Sequence, residues 1–276
     1  MRLQANEPLF PDIFWNRPVA KQSAGRLLIC GGHASDFSLP TALFELADAA
    51  GIGQVTAVLP DSLRKVMPGA AAVVFVPSSP SGSLGRLALG EITELAREHD
   101  AILLAGLSNN SETSALAESI ARLGRPLVLA GDAIGSVQPA LPDLVNDHRV
   151  LLITDWPQLL KLSAALGSPV TIKRGDLLGK AAIIADMSTG KRCSFLVIGP
   201  ELLAANAGEV TATPLAQSAK SATITAALAA VFWTQNPAKP LEALTSAAFV
   251  VARTLARQPA STPELAKAIR SVLGEL

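Results

Sequence analysis

The stretch RLLICGGHASDFSLPTALFELADAAGIGQVTAVL, residues 26–59, contains the pattern that decides the fold. RLLIC at 26–30 and VTAVL at 55–59 are short apolar runs without polar alternation, which is typical of strands buried on both faces. Between them, the apolar spacing over 40–50 predicts a helix, with Pro40 in its first turn. A strand, a helix and a second strand in this order predict a parallel βαβ unit.

The same alternation continues along the chain and predicts an α/β fold with a mostly parallel sheet of about eight or more strands and helices on both faces. Further strands are predicted at 71–76, 101–105, 126–130, 149–153, 169–172 and 194–198. Further helices are predicted at 84–98, 113–123, 155–166, 176–188, 216–233 and 241–257, with another from Ser261. Because no shift in composition marks a boundary, residues 1–276 are expected to form a single domain, with an N-terminal extension at 1–24 and a C-terminal tail at 259–276.

Composition excludes several classes of function. The chain has 49% hydrophobic and 17% charged residues, which argues against disorder. Its 23 basic and 23 acidic residues leave no basic excess for nucleic acid or an anionic membrane. The longest apolar stretch, 222–233, is too short to span a bilayer, which needs about 20 residues. The first ten residues lack an apolar signal core, so a cytoplasmic location is expected.

Metal chemistry is not predicted. The three histidines form no metal-binding motif, and Cys30 and Cys193 fit neither a metal spacing nor a disulfide framework. The two cysteines are expected to be small buried side chains in a reducing compartment.

Two local patterns mark candidate ligand contacts. Gly31 and Gly32 follow the first strand and precede a helix, where glycines let backbone approach a ligand and the helix N-terminus favours anions. A tight structural turn explains these glycines equally well. Asp132 follows the strand at 126–130, and ligands of α/β proteins gather at the carboxyl ends of strands. An aspartate that caps the next turn is the equal alternative.

Three segments, in this order, share residues with a known family. FWNRPVAKQSAGRLLICGG at 14–32 contains the glycine turn, DAILLAGLSNNSET at 100–113 contains Gly106, and VLAGDAI at 128–134 contains Asp132. Together with the spacing of the rest of the chain, they resemble the ADP/ATP-dependent NAD(P)H-hydrate dehydratases, a carbohydrate kinase-like branch of the ribokinase-like superfamily.

The resemblance implies a ribokinase-like three-layer α/β/α fold and a role in the repair of hydrated nicotinamide cofactors. The implied ligand is an NAD(P)H-like small molecule, with ADP or ATP and Mg²⁺ if the family activity is retained. A homo-oligomer is also expected. The implied ligand-binding candidates are Gly31, Gly32, Pro40, Gly106, Asp132 and Trp156.

The largest departure from the family lies at its Gly-Thr-Gly-Asp motif, which forms an anion hole and supplies the catalytic base. The corresponding stretch is AQSAKSATITAAL at 216–228, which places Ala219, Lys220, Ser221 and Ala222 at the four positions. No Asp or Glu lies in this stretch, so a change of register does not restore the base. No catalytic residue is therefore assigned, while Lys220 and Ser221 are candidates to contact a nucleotide phosphate. A solvated surface lysine is the simpler interpretation of Lys220.

Other departures affect neighbouring motifs. Ile198 replaces the lysine of a strand-end Lys-Gly pair, and His33 replaces the serine of the glycine turn. Asp155, Trp156 and Gln158 stand where a Thr-Pro-His-x-Gly-Glu motif has proline, histidine and the Gly-Glu pair.

These departures favour a catalytically impaired or inactive relative that retains a ligand pocket. One alternative is a non-catalytic binding or assembly subunit, and another is a diverged small-molecule kinase. An enzyme that uses Asp132 or Asp155 as a substitute base also remains open. A nicotinamide oxidoreductase would rest only on the turn after the first strand.

Overall fold

Within the residues that the structure describes, ten strands form one sheet. The structure, a computed structural model, describes residues 1–67, 72–167, 170 and 176–276. The strands are β1 (Arg2–Leu3), β2 (Arg26–Cys30), β3 (Gln54–Pro60), β4 (Val73–Val76), β5 (Ala101–Leu104), β6 (Leu127–Ala130), β7 (Val150–Asp155), β8 (Ser194–Ile198), β9 (Glu201–Asn206) and β10 (Glu209–Pro214). Their order is β1-β10-β9-β8-β7-β6-β5-β2-β3-β4, and every neighbouring pair is parallel except the two that involve β9. The predicted mostly parallel sheet is confirmed.

Helices cover both faces of this sheet. One face carries α1 (Pro11–Trp15), α2 (Ser38–Ala49), α9 (Ser221–Gln235), α10 (Pro240–Leu255) and α11 (Thr262–Gly274). The other carries α3 (Leu89–Glu98), α4 (Ser111–Ala121), α5 (Ala133–Ser136), α6 (Leu141–Leu144), α7 (Trp156–Ala165) and α8 (Leu177–Gly190). Within the described ranges, no helix is both long and apolar enough to cross a bilayer.

Burial on both faces explains the continuous apolar strands. In β2, Leu27 and Ile29 belong to one core while Leu28 and Cys30 belong to the other, and all four are fully buried. Such a strand has no solvent face and therefore no polar alternation. The same reasoning applies to α9, where every residue from 224 to 233 is buried beneath α2 and α10.

The element boundaries differ from the predicted ones at a few places. The helix predicted from residue 84 begins at Leu89, after a short 3₁₀ turn, and the helix predicted from 216 begins at Ser221. The strand predicted at 169–172 lies outside the described residues except for Val170, and the strand predicted at 71–76 is described from residue 72.

The two terminal segments are integral parts of this architecture. Within residues 1–24, Arg2–Leu3 adds β1 to the edge of the sheet, and the Phe14 ring packs 5.9 Å from the Phe232 ring. At the other end, the Ser261 hydroxyl oxygen accepts a hydrogen bond from the Glu264 amide, which caps α11 where it packs on α2 and α10.

Candidate functional site

A cavity of about 540 Å³ opens where the carboxyl ends of β5 to β8 meet the first turns of α9. We refer to it as the strand-end cavity. Its walls combine apolar side chains, among them Ile153 and Ile198, with polar ones that include Asp132 and Gln217. Open parallel sheets bind ligands at this edge, and cavities of this volume suit small organic molecules.

Asp132 carries the carboxylate best placed to act on a ligand in the cavity. It follows Gly131, which has a positive φ of 60° and turns the chain at the end of β6. The Asp132 residue is exposed as a whole, but burial of its carboxyl group in the cleft raises its pKa above the ordinary value. Backbone N–H groups of Gly106, Ala133 and Leu107 oppose that rise, and the Gly106 amide nitrogen lies 3.2 Å from Asp132 Oδ1. The carboxyl group can therefore accept a proton more readily than an ordinary aspartate.

The turns at Gly31–Gly32 and Gly106 adjoin the cavity through Ala105, which lines it, but these three glycines are not in its lining. A Cβ at Gly31 would lie 1.9 Å from the carbonyl oxygen of Ala105, so only glycine allows β2 and β5 to end side by side. Gly32 has a φ of 93° and donates its N–H to the Gly106 carbonyl at 2.9 Å. Pro40 packs on this turn, 3.2 Å from the same Cβ position at Gly31. Gly31, Gly32 and Pro40 therefore support the turn at Gly106, whose N–H donates to Asp132.

Trp156 supports a wall of the cavity from behind. It is the first residue of α7, and its half-buried ring packs against Gly199, where a Cβ would lie 3.0 Å from Trp156 Nε1. Lys180 Nζ lies 5.5 Å from the ring centroid. Because Gly199 itself lines the cavity, Trp156 acts on its shape without reaching into it.

The first turn of α9 forms the opposite wall, with Ala219, Ser221, Ala222 and Thr223 facing the cavity. The Ser221 hydroxyl oxygen accepts a hydrogen bond from the Ser218 amide at 3.2 Å, so it is engaged within the helix start. The positive end of the helix dipole still points towards the cavity.

Lys220 is directed away from this wall. Its Nζ lies 3.4 Å from the carbonyl oxygen of Pro259, in the segment before α11. It is absent from the described lining of the strand-end cavity.

The residues at the start of α9 and the end of β8 do not fit a tightly held nucleotide phosphate. The methyl group of Ala219 and the side chain of Ser221 stand in the wall. The resemblance expects glycines at these two positions, which would expose bare backbone N–H groups to an anion. Ile198 offers no charge at the end of β8.

Asp155, the other substitute base considered from the sequence, has a structural role. Its Oδ1 accepts the Gln158 N–H at 2.8 Å and caps the N-terminus of α7. Its side chain also lines the cavity, so the two carboxylates share one site.

Two glutamines were not among the sequence candidates and are part of the site. Gln158 Nε2 donates to the carbonyl of Gly131, and Gln217 Nε2 donates to the carbonyl of Gly199 at 2.8 Å. Both bonds join residues that are far apart in sequence, and no local pattern signals them.

The amino-acid sequence was compared with protein-family models and with curated proteins. No protein-family model matches the chain. A bifunctional NAD(P)H-hydrate repair enzyme from Moorella thermoacetica is 27% identical over 164 residues, which are 57% of this chain and 31% of that protein. The match therefore spans about a third of the curated relative. It supports a relationship to the NAD(P)H-hydrate repair enzymes.

Solved structures agree over nearly the whole chain. A ribokinase-like superfamily protein from Enterococcus faecalis superposes with a TM-score of 0.75 at 15% identity, covering 99% of this chain and 96% of that one. An ADP/ATP-dependent NAD(P)H-hydrate dehydratase from Bacillus subtilis, co-crystallised with ATP and Mg²⁺, gives a TM-score of 0.63 at 14% identity, covering 98% and 99%. Phosphofructokinase-2 from Escherichia coli gives 0.61 at 12% identity, covering 90% and 99%. The fold is therefore ribokinase-like, and the resemblance found in the sequence is confirmed.

Proposed function

We propose that this protein is a relative of the NAD(P)H-hydrate dehydratases that keeps a ligand-binding cavity and has lost nucleotide-dependent dehydration. The observation that carries the proposal is Ala222, which lies in the cavity wall on the first turn of α9. The resemblance expects the catalytic base at this position, and a methyl group cannot accept a proton. Loss of a general base commonly costs about 10²–10⁴ in rate.

The same wall argues against tight nucleotide binding. Phosphoryl transfer depends on positioning and on charge stabilisation by groups that act together. Here Ala219 and Ser221 obstruct the anion hole, Lys220 points to Pro259, and Ile198 is uncharged.

The ligand that we propose for the cavity is an NAD(P)H-like small molecule. The volume and the mixed apolar and polar walls support a small organic ligand. Asp132 is placed to accept a hydrogen bond from a hydroxyl or amide group of that ligand.

The test is an activity assay paired with calorimetry on the purified protein. Dehydration is followed as loss of the absorbance of hydrated NADH or NADPH with ADP or ATP and Mg²⁺, beside an active dehydratase as the positive control. We expect no useful turnover and a dissociation constant for ADP and ATP weaker than about 10 µM, roughly −7 kcal/mol. Lys220→Ala should leave nucleotide affinity unchanged, because Lys220 does not face the cavity. Robust turnover or tighter nucleotide binding would overturn the proposal.

A diverged enzyme, such as a small-molecule kinase, is the second candidate function. The raised pKa of Asp132 at the cavity favours it, because a carboxyl group of this kind is suited to accept a proton from a hydroxyl. Turnover that Asp132→Asn abolishes would support this candidate against the first.

A further inference from the structure

The side chain of Gln158 bridges two adjacent strand ends. Gln158 lies in the first turn of α7, directly after β7. Its Oε1 accepts a hydrogen bond from the Thr154 hydroxyl at 3.0 Å, and its Nε2 donates to the carbonyl of Gly131 at the end of β6. Both hydrogen-bonding groups of the amide are therefore used, and each holds a different strand.

This bridge continues as a chain of hydrogen bonds across the sheet edge. Asp132, next to Gly131, accepts the Gly106 N–H at 3.2 Å, and the Gly106 carbonyl accepts the Gly32 N–H at 2.9 Å. The carboxyl ends of β7, β6, β5 and β2 are thereby linked in series. Asp132 is the middle member, and Gln158 fixes it from the side of β7.

Asp132 and Gln158 also form a boundary between two cavities. Both residues line the strand-end cavity and a neighbouring cleft of about 740 Å³ on the side of α5 to α7. That neighbouring cleft is lined by Asn109, Gln138 and Lys161 among others. A shift of the Gly131–Asp132 turn would move the carboxylate from one cavity towards the other.

We propose that Gln158 is a positioning residue for Asp132, which holds the carboxylate on the Gly106 amide at the boundary of the two cavities. The proposal concerns the cavity used by the proposed function, and its test needs no ligand, so the two can fail separately. Gly131 donates its N–H to the Ile153 carbonyl at 3.1 Å, and its carbonyl also accepts the Ile134 N–H at 3.2 Å. The Gln158 amide is therefore a second donor to that carbonyl, and it is the one that ties the turn at the end of β6 to α7.

The experiment reads the Gly106 amide by NMR in the protein without ligand. Because this N–H donates to Asp132, its chemical shift should follow the titration of that carboxyl group in the unmodified protein. Gln158→Met keeps the length of the side chain and removes both bonds. Gln158→Glu keeps the acceptor for Thr154 and loses the donor to Gly131. In Gln158→Met we expect the titration signal at Gly106 to disappear. In both variants we expect the Gly106 amide to exchange about tenfold faster, the scale of one hydrogen bond.

Lys161→Met is the matched control, because Lys161 is on the same helix and lines the second cleft without bonding to Gly131. It should preserve the Gly106 titration. Apart from Asp132 and Lys161, Asp155 is the only charged side chain in the described lining of the two cavities. Gln158→Glu adds a titrating carboxyl group to both linings and Gln158→Met does not, so the titration is compared between Gln158→Met and the unmodified protein. An unaltered Gly106 signal in both Gln158 variants would overturn the proposal. Failure of both variants to fold would overturn it too, in favour of a purely structural role.

Discussion

The glycine turn at Gly31, Gly32 and Gly106 and the first turn of α9 differ in how many residues they share with the family that the sequence resembles. Gly31, Gly32 and Gly106 match the family resemblance, whereas residues 219–222 do not. At Gly31 a Cβ would collide with the backbone, so any other residue would disturb the fold itself. In contrast, α9 starts as readily with alanine and serine as with glycine. Packing therefore fixes the residue type at Gly31, whereas the start of α9 accepts several residue types.

The largest effect that we expect tests whether packing requires glycine at position 31. Gly31→Ala should lower the free energy of unfolding by about 3 kcal/mol or more, because backbone of β5 must move to admit the methyl group. Chemical denaturation followed by circular dichroism measures the change. Gly135→Ala is the control, since nothing lies within 4 Å of that Cβ, and it should be neutral or slightly stabilising. Equal stability of the two variants would show that the turn is not constrained as described.

A smaller effect is expected from the carboxylate that lies between the two regions. The raised pKa of Asp132 means that folding favours its neutral form, so its ionisation lowers stability as pH rises through that pKa. Asp132→Asn should therefore stabilise the protein at pH 7, and the gain should vanish below the ordinary pKa of aspartate. Unfolding measured between pH 3 and pH 7 checks this sign.

Asp147 provides the opposite control for that experiment. The hydrogen bond from the Arg149 side chain lowers its pKa, so Asp147→Asn should destabilise the protein at neutral pH. This loss should shrink as the pH falls through the lowered pKa. Parallel behaviour of the two variants would contradict the assignment of Asp132.

The smallest expected effect tests whether substitutions in the first turn of α9 can give dehydration activity. Ala222→Asp alone should leave the protein inactive. The base and the anion hole act together, so restoring the base without the anion hole should give little gain in the rate of dehydration. The joint variant Ala219→Gly, Ser221→Gly and Ala222→Asp rebuilds both features in the same turn. The hydrate absorbance assay should detect turnover in the joint variant first. Activity from Ala222→Asp alone would show that the anion hole is intact without the glycines.

Local patterns determined most of the architecture. The bounds of β2 and β8 coincide with the predicted ones, because each is a continuous apolar run that ends at a glycine, which leaves little freedom in where a buried strand ends. The start of α11 after Ser261 is equally local, since a capping side chain acts within its own turn. By contrast, β1 was not predicted, because two residues form a strand only when a partner such as β10 is present.

The site divides in the same way. The sequence by itself placed Asp132 at the end of a strand, and it shows that residues 219–222 include neither a glycine nor a carboxylate, because both follow from residue type and order. Only the tertiary structure showed that Lys220 turns to Pro259 and that Gln158 reaches Gly131. Those contacts join residues separated by 39 and 27 positions, so they depend on how the helices pack and leave no periodic signal in the chain.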